Sequence, residues 1–136
     1  MEASRSVALV IVDHGSRNDA SNSALDEVAR EIARRAGTRY LAVLPAHMEV
    51  VAPTIADAFG AAVAVGADFV VIALYFLAPG RHSESDVPRL AAQAAARFGV
   101  GFAISASLGP DDLLCDLVLA RAEEAMRTQG QPRSGK

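Results

Sequence analysis

Apolar positions along the chain follow two alternating patterns. Nearly continuous apolar runs occupy Val7–Val12, Tyr40–Leu44, Phe69–Leu77 and Phe102–Ala106. Unbroken runs of this length suit strands buried on both faces, as in a parallel sheet with helices above and below. The stretches after each run have helical spacing. Leu25, Val28, Ala29, Ile32, Ala33 and Ala36 recur at i, i+3, i+4 and i+7, with Gly37 as terminator. Pro53 suits a first helical turn, with Ile55, Phe59, Ala62 and Val63 inward and Gly66 as the stop. Val87, Leu90, Ala91, Ala94 and Phe98 form a third stripe ending at Gly99. Its start has two readings: a capping box from Ser83 to Asp86, or a cap at Ser85 with Pro88 in the first turn. Asp111 is the expected cap of a fourth helix that turns Leu114, Leu117, Val118, Ala122 and Ala125 inward.

Strand–helix alternation with right-handed crossovers predicts a single, doubly wound α/β domain with a mostly parallel four-stranded sheet flanked by helices. The domain is expected over residues 1–127, followed by a flexible C-terminal tail over 128–136. In such sheets the loops leaving the carboxyl ends of the strands share one rim, where ligands bind. Asp13-His14-Gly15-Ser16-Arg17 follows the first run and Pro45-Ala46-His47-Met48-Glu49 the second. Ala78-Pro79-Gly80-Arg81-His82 follows the third, and Ser107-Leu108-Gly109-Pro110 the fourth. The three histidines of the chain therefore fall on one rim, one per loop.

Composition narrows the chemistry. The 136 residues carry a formal charge of −3, which argues against nucleic acid or an anionic membrane as partner, since both need a basic face. The single cysteine, Cys115, excludes an intrachain disulfide, a Cys-rich zinc site and an iron–sulfur cluster; beside the fourth stripe it reads as a small hydrophobe. The stretch Ala61–Ala78 approaches membrane-spanning length, but Gly66 and Asp68 divide it into a helix end and a buried strand. With no signal peptide, the expected location is cytoplasmic. Imidazoles on a shared rim suit a borderline divalent metal, which a carboxylate such as Glu49 can help bind, and they also suit proton transfer near neutrality. Asp13 either orients an imidazole or bonds backbone amides, and Met48 reads as core packing.

At these residues the chain resembles the small class II sirohydrochlorin chelatases, in the form found in plants and cyanobacteria. The resemblance lies in Asp13-His14-Gly15-Ser16-Arg17, Ala46-His47-Met48-Glu49 with Pro53-Thr54-Ile55, and Tyr75-Phe76-Leu77 leading into Pro79-Gly80-Arg81-His82 with Asp86-Val87-Pro88. It covers about residues 7–125. It implies a three-layer chelatase-like fold and insertion of a divalent metal (Fe2+ or Co2+, with Ni2+ also compatible) into sirohydrochlorin, on the way to sirohaem or cobalamin. His14 and His82 would bind the metal, His14 and Glu49 would act in catalysis, and Arg17, Glu49, Leu77, Ala78, Pro79, Gly80 and Arg81 would meet the tetrapyrrole. The role of His47 stays open. The metal is a substrate, and no nucleotide is needed. Longer members of the family carry two such domains, so this chain is expected to form a homodimer around the macrocycle. Two departures stand out. Ser107 replaces a frequent Pro, and Asp111 stands where relatives often have a His.

A metal or tetrapyrrole carrier without turnover would use the same rim. A histidine phosphatase is disfavoured, because Asp13 before His14 repels phosphate where such enzymes have Arg. A flavodoxin-like regulatory module would leave the rim without chemistry.

Overall fold

A computed structural model describes residues 5–130, the side chain of His82 excepted. In chain order the elements are β1 (Val7–Asp13), α1 (Asp19–Ala36), β2 (Ala42–His47), α2 (Ile55–Ala64) and β3 (Phe69–Leu74). A π-helical turn (His82–Asp86), α3 (Val87–Phe98), β4 (Gly101–Ile104) and α4 (Asp112–Thr128) follow. The strands are parallel in the order β2-β1-β3-β4, with Val10 opposite both Leu44 and Ile72. The chain therefore starts in the middle, moves out to β2, and crosses back to β3. Strand order reverses between β1 and β3, and in open α/β sheets that reversal opens a crevice at the carboxyl ends.

Side chains alternate between the two faces of the sheet. Ala8, Val10, Val12, Val70, Ile72 and Leu74 join Phe59, Val87, Ala91 and Ala94 of α2 and α3 in the larger core. Leu9 and Ile11 meet Leu25 and Ala29 of α1 on the other face. Asn18 caps α1 by accepting from Ala20 N and Ser21 N, and such a cap is worth about 1 kcal/mol. Thr54 and Asp57 form a reciprocal capping box on α2, so Pro53 sits just outside that helix instead of in its first turn. Among the described residues no helix is long and apolar enough to cross a membrane.

Several boundaries differ from the sequence reading. β2 begins at Ala42 and continues through Pro45 to His47. Pro45 is tolerated because β2 is an edge strand, where a missing N–H costs no ladder bond. β3 ends at Leu74 and β4 at Ile104, so the apolar residues after them belong to loops. Neither cap expected for α3 forms. Ser83 instead exchanges hydrogen bonds with Gly80, and Pro88 lies in the first turn after the π-helical turn. α4 runs through Thr128, the expected first residue of the tail; residues 131–136 lie outside the described residues.

The largest difference concerns α4. Asp111 caps it as expected, accepting from Leu113 N at 2.9 Å. Yet Leu114, Leu117, Val118, Ala122 and Ala125 do not turn inward, since no residue of α4 is buried. Cys115 is likewise exposed. The cause lies in the preceding loop. Leu108 N donates to Phe76 O at 2.8 Å, tying the segment to the loop after β3. Gly109 then packs so closely that a Cβ there would stand 2.3 Å from Leu77 O and 2.8 Å from Leu114 Cδ1. This junction aims α4 away from the sheet.

Candidate active site

The carboxyl ends of β1 and β2 stay joined beyond their last strand residues. Met48 N donates to Asp13 O at 2.8 Å and Glu49 N to His14 O at 3.1 Å. Asp13 Oδ1 accepts from Gly15 N at 3.0 Å and lies 2.6 Å from His47 Nδ1. Both sequence readings of Asp13 therefore hold, because one carboxylate oxygen does both jobs. The imidazole that it orients is His47, whose exposure is only 2 %. This corrects the expected rim position of His47. Because β2 extends to that residue, its side chain lies in the core beneath the rim. His47→Ala is expected to lower stability by about 2–3 kcal/mol, through a cavity and a lost partner for Asp13. Urea denaturation checks this, and an unchanged midpoint would speak against it.

Gly15 has φ +88°, and a Cβ there would fall 2.0 Å from Glu49 O. That same carbonyl accepts from Val51 N at 3.0 Å, closing a three-residue turn over Val50. Val50 has φ +78°, a strained conformation for a β-branched residue, and lies next to Glu49. Strain of this kind concentrates where a backbone is held for function.

The loop after β3 approaches from the other side. Tyr75 N donates to Val12 O at 2.8 Å. The Phe76 ring then meets the His14 ring edge-on, with centroids 4.7 Å apart and planes at 81°. Phe76 is buried, whereas Leu77 is 72 % exposed. Beyond Pro79, the Ser83 hydroxyl accepts from Gly80 N at 2.9 Å and donates to Gly80 O at 3.0 Å, which fixes the bend carrying Arg81.

His14, Arg17, Glu49, Leu77, Ala78, Pro79, Gly80 and Arg81 are all exposed on this end of the sheet. His14 and the Glu49 backbone are joined directly, and His14 is tied to the β3 loop through Phe76. Arg17 stands just before the cap of α1. The His82 side chain lies outside the described residues; its backbone opens the π-helical turn. Among the described side chains no group of three potential ligands surrounds an ion position. Two open grooves border the β3 loop. One, of about 210 Å3, is lined by Pro79, Ser83, Glu84 and Ser105–Ser107. The other, of about 480 Å3, lies between Leu77 and the Leu114, Leu117, Val118 and Arg121 side chains of α4. Sequence reasoning missed Phe76 as the support for His14. Its place in the third apolar run made it look like strand interior.

An accessible imidazole beside a carboxylate-bearing loop can hold a borderline divalent ion and take up a proton. The flanking arginines and apolar loop suit a flat ligand with acidic substituents.

The CbiX family model matches residues 8–125. A chloroplastic sirohydrochlorin ferrochelatase of Arabidopsis thaliana is 44 % identical over 119 residues, covering 87 % of this chain and 52 % of that protein. A sirohydrochlorin cobaltochelatase of Methanococcus maripaludis is 40 % identical over 83 residues, 61 % of this chain and 56 % of that protein. The chain thus spans about half the length of the curated relatives it matches. In structure it is similar to the sirohydrochlorin chelatase SirB of Bacillus subtilis subspecies spizizenii in complex with cobalt, with TM-score 0.70 and 25 % identity over 87 % of this chain and 50 % of that one. It shares the fold of a CbiX protein of Marinobacter aquaeolei VT8, with TM-score 0.69 and 22 % identity, covering 89 % and 98 % of the two chains.

Proposed function

Because the chain belongs to the CbiX family, we propose that it is a sirohydrochlorin chelatase, inserting Fe2+ or Co2+ into the macrocycle with release of two protons. One observation carries this reading. His14 stands at the strand-order reversal, backed by Phe76 of the β3 loop and joined through its own carbonyl to the Glu49 backbone. The similarity to a sirohydrochlorin ferrochelatase and a sirohydrochlorin cobaltochelatase supports the substrate, and the SirB–cobalt complex supports a metal at this type of site.

In this mechanism the neutral His14 ring holds the ion, with His82 as the second ligand. As the ion leaves for the ring nitrogens, His14 accepts one pyrrole proton and Glu49 passes on the other. Arg17 and Arg81 pair with peripheral carboxylates, and Leu77–Gly80 line one face of the macrocycle. These contacts let an acidic protein hold an acidic ligand. A macrocycle is broad against one such domain, so a homodimer is the proposed working form.

The testing experiment is an anaerobic absorbance assay of sirohydrochlorin with iron, cobalt and nickel. The wild type should accelerate insertion of iron or cobalt over the spontaneous rate, and His82→Ala should not. Equal rates with and without protein would overturn the proposal. Arg81→Ala should raise KM for the tetrapyrrole roughly tenfold, the value of one charge-assisted hydrogen bond, with KM for the metal nearly unchanged. Steady-state titration of each substrate checks this, and equal rises in both would refute the assignment of Arg81.

A further inference from the structure

Among the described residues the buried polar side chains are Ser83 and His47. Ser83 is accounted for by the Gly80 bend. Packing does not account for His47, since an aliphatic side chain fills such a space without the cost of burying an imidazole. What the ring does is hold Asp13. A carboxylate oxygen only accepts, so Nδ1 carries the proton and donates to Asp13 Oδ1 at 2.6 Å. The same oxygen accepts from Gly15 N at 3.0 Å. That second bond closes an Asx turn whose central residue is His14. The backbone from which the His14 ring projects is therefore set by a carboxylate, and the carboxylate by a ring in the core.

His47 also stands at the base of the opposite loop. Its N–H donates to Pro53 O at 2.8 Å, and it pairs with Thr54, the cap of α2. Residues 48–52 thus form a short loop closed at its neck by His47. Within that loop Glu49 N reaches His14 O at 3.1 Å, and Glu49 O is the atom that Gly15 approaches.

We infer that His47, acting through Asp13, is a positioning residue for metal delivery: it fixes the His14 turn against the Glu49 loop without touching either substrate. This rests on the chelatase reading and gives a role to the histidine whose role the motifs leave open. A ligand ring must stand within about 0.5 Å of its place to hold an ion and then release it to the macrocycle. Phe76 braces the His14 ring edge-on, but the backbone beneath that ring is held by Asp13. Asp13 is partly exposed, so without its partner the carboxylate can turn to water and let the turn loosen, while the β1–β2 ladder persists. Misplacement of a reacting group by about 1 Å can cost on the order of 100-fold in rate. Tetrapyrrole binding should be spared. Arg81 and Leu77–Gly80 belong to the β3 loop, and Arg17 is secured separately, since Ser16 exchanges hydrogen bonds with Asn22 of α1.

The test compares two substitutions of one residue. His47→Leu keeps the bulk and removes the bond to Asp13. His47→Asn places an amide N–H where Nδ1 stood, keeping the bond but leaving a small cavity. Binding of Co2+ alone, followed by its visible absorbance, and initial rates of insertion are measured beside the wild type. His47→Leu should weaken Co2+ binding and lower the insertion rate at least roughly tenfold, with KM for sirohydrochlorin nearly unchanged. His47→Asn should keep both close to the wild type even though it melts lower. In an Asp13→Ala background His47→Leu should add no further loss, because the link is already cut. If His47→Leu does not fold, Asp13→Ala against Asp13→Asn makes the same comparison from the partly exposed side, since Asn keeps an oxygen for both N–H groups. Wild-type Co2+ binding and rate in the variant lacking the bond would overturn the inference. So would equal losses in the leucine and asparagine variants, which a structural role alone would give. If the variants differ in Co2+ binding as expected but the wild type does not accelerate insertion, the chelatase reading falls and the positioning role stands. A wild type that does not bind Co2+ would overturn both.

Discussion

His14→Ala is expected to lower catalysed metal insertion at least roughly 100-fold, while the protein stays folded. General acid–base catalysis by a positioned side chain contributes about 10²–10⁴-fold, and this ring is assigned ion delivery as well. Its exposure makes the variant informative. An exposed side chain replaced by Ala changes stability by only about 0.5 kcal/mol, so lost rate cannot be charged to unfolding. The edge-on contact with Phe76 is forfeited as well, worth on the order of 1 kcal/mol more, which is still too little to unfold the domain. Initial rates at saturating sirohydrochlorin, with a thermal melt alongside, check the expectation. Near-normal turnover would remove His14 from the mechanism.

Gly15→Ala is expected to damage fold and activity together. A Cβ there would stand 2.0 Å from Glu49 O and 3.1 Å from His47 Cβ, in a backbone conformation that L-residues rarely adopt. Backbone strain and overpacking each cost about 1–3 kcal/mol, so a loss of about 2–4 kcal/mol follows, or roughly 10 °C in Tm. Relief requires the Glu49 turn to move away from β1, which breaks the Glu49 N–His14 O bond. Activity should therefore fall further than Tm alone explains. A melt and a rate on the same preparation separate the two effects. A variant with unchanged Tm would contradict the close approach.

The core was legible because a parallel sheet writes itself as unbroken apolar runs. Val7–Val12 emerged almost at the limits of β1, and Gly37 marked the end of α1, although that helix begins at Asp19, well before the first stripe position Leu25. His47 was misread because the second apolar run ends at Leu44, and only strand order reveals that β2 is an edge that continues through Pro45. The partnership of Asp13 with a buried imidazole could not be seen, since it joins residues 34 positions apart. For α4, the periodicity was real, but a stripe states that a face needs cover and not which body supplies it. That Gly15 meets the Glu49 carbonyl could not be read from the chain, and the strained turn at Val50 had no sequence signal at all. The motif residues were placed at the carboxyl ends of the strands, where the structure has them, whereas the support given by Phe76 depended on where β3 stops.

The most direct test counts product molecules per protein chain. Under strict anaerobiosis, substoichiometric wild-type protein is mixed with excess sirohydrochlorin and Fe2+ or Co2+, and the metallated product is followed by its absorbance. A chelatase built on the His14 rim should form many equivalents per chain, well above the protein-free rate. Conversion that halts at one equivalent would mean the rim binds and does not turn over, and the catalytic account would fall.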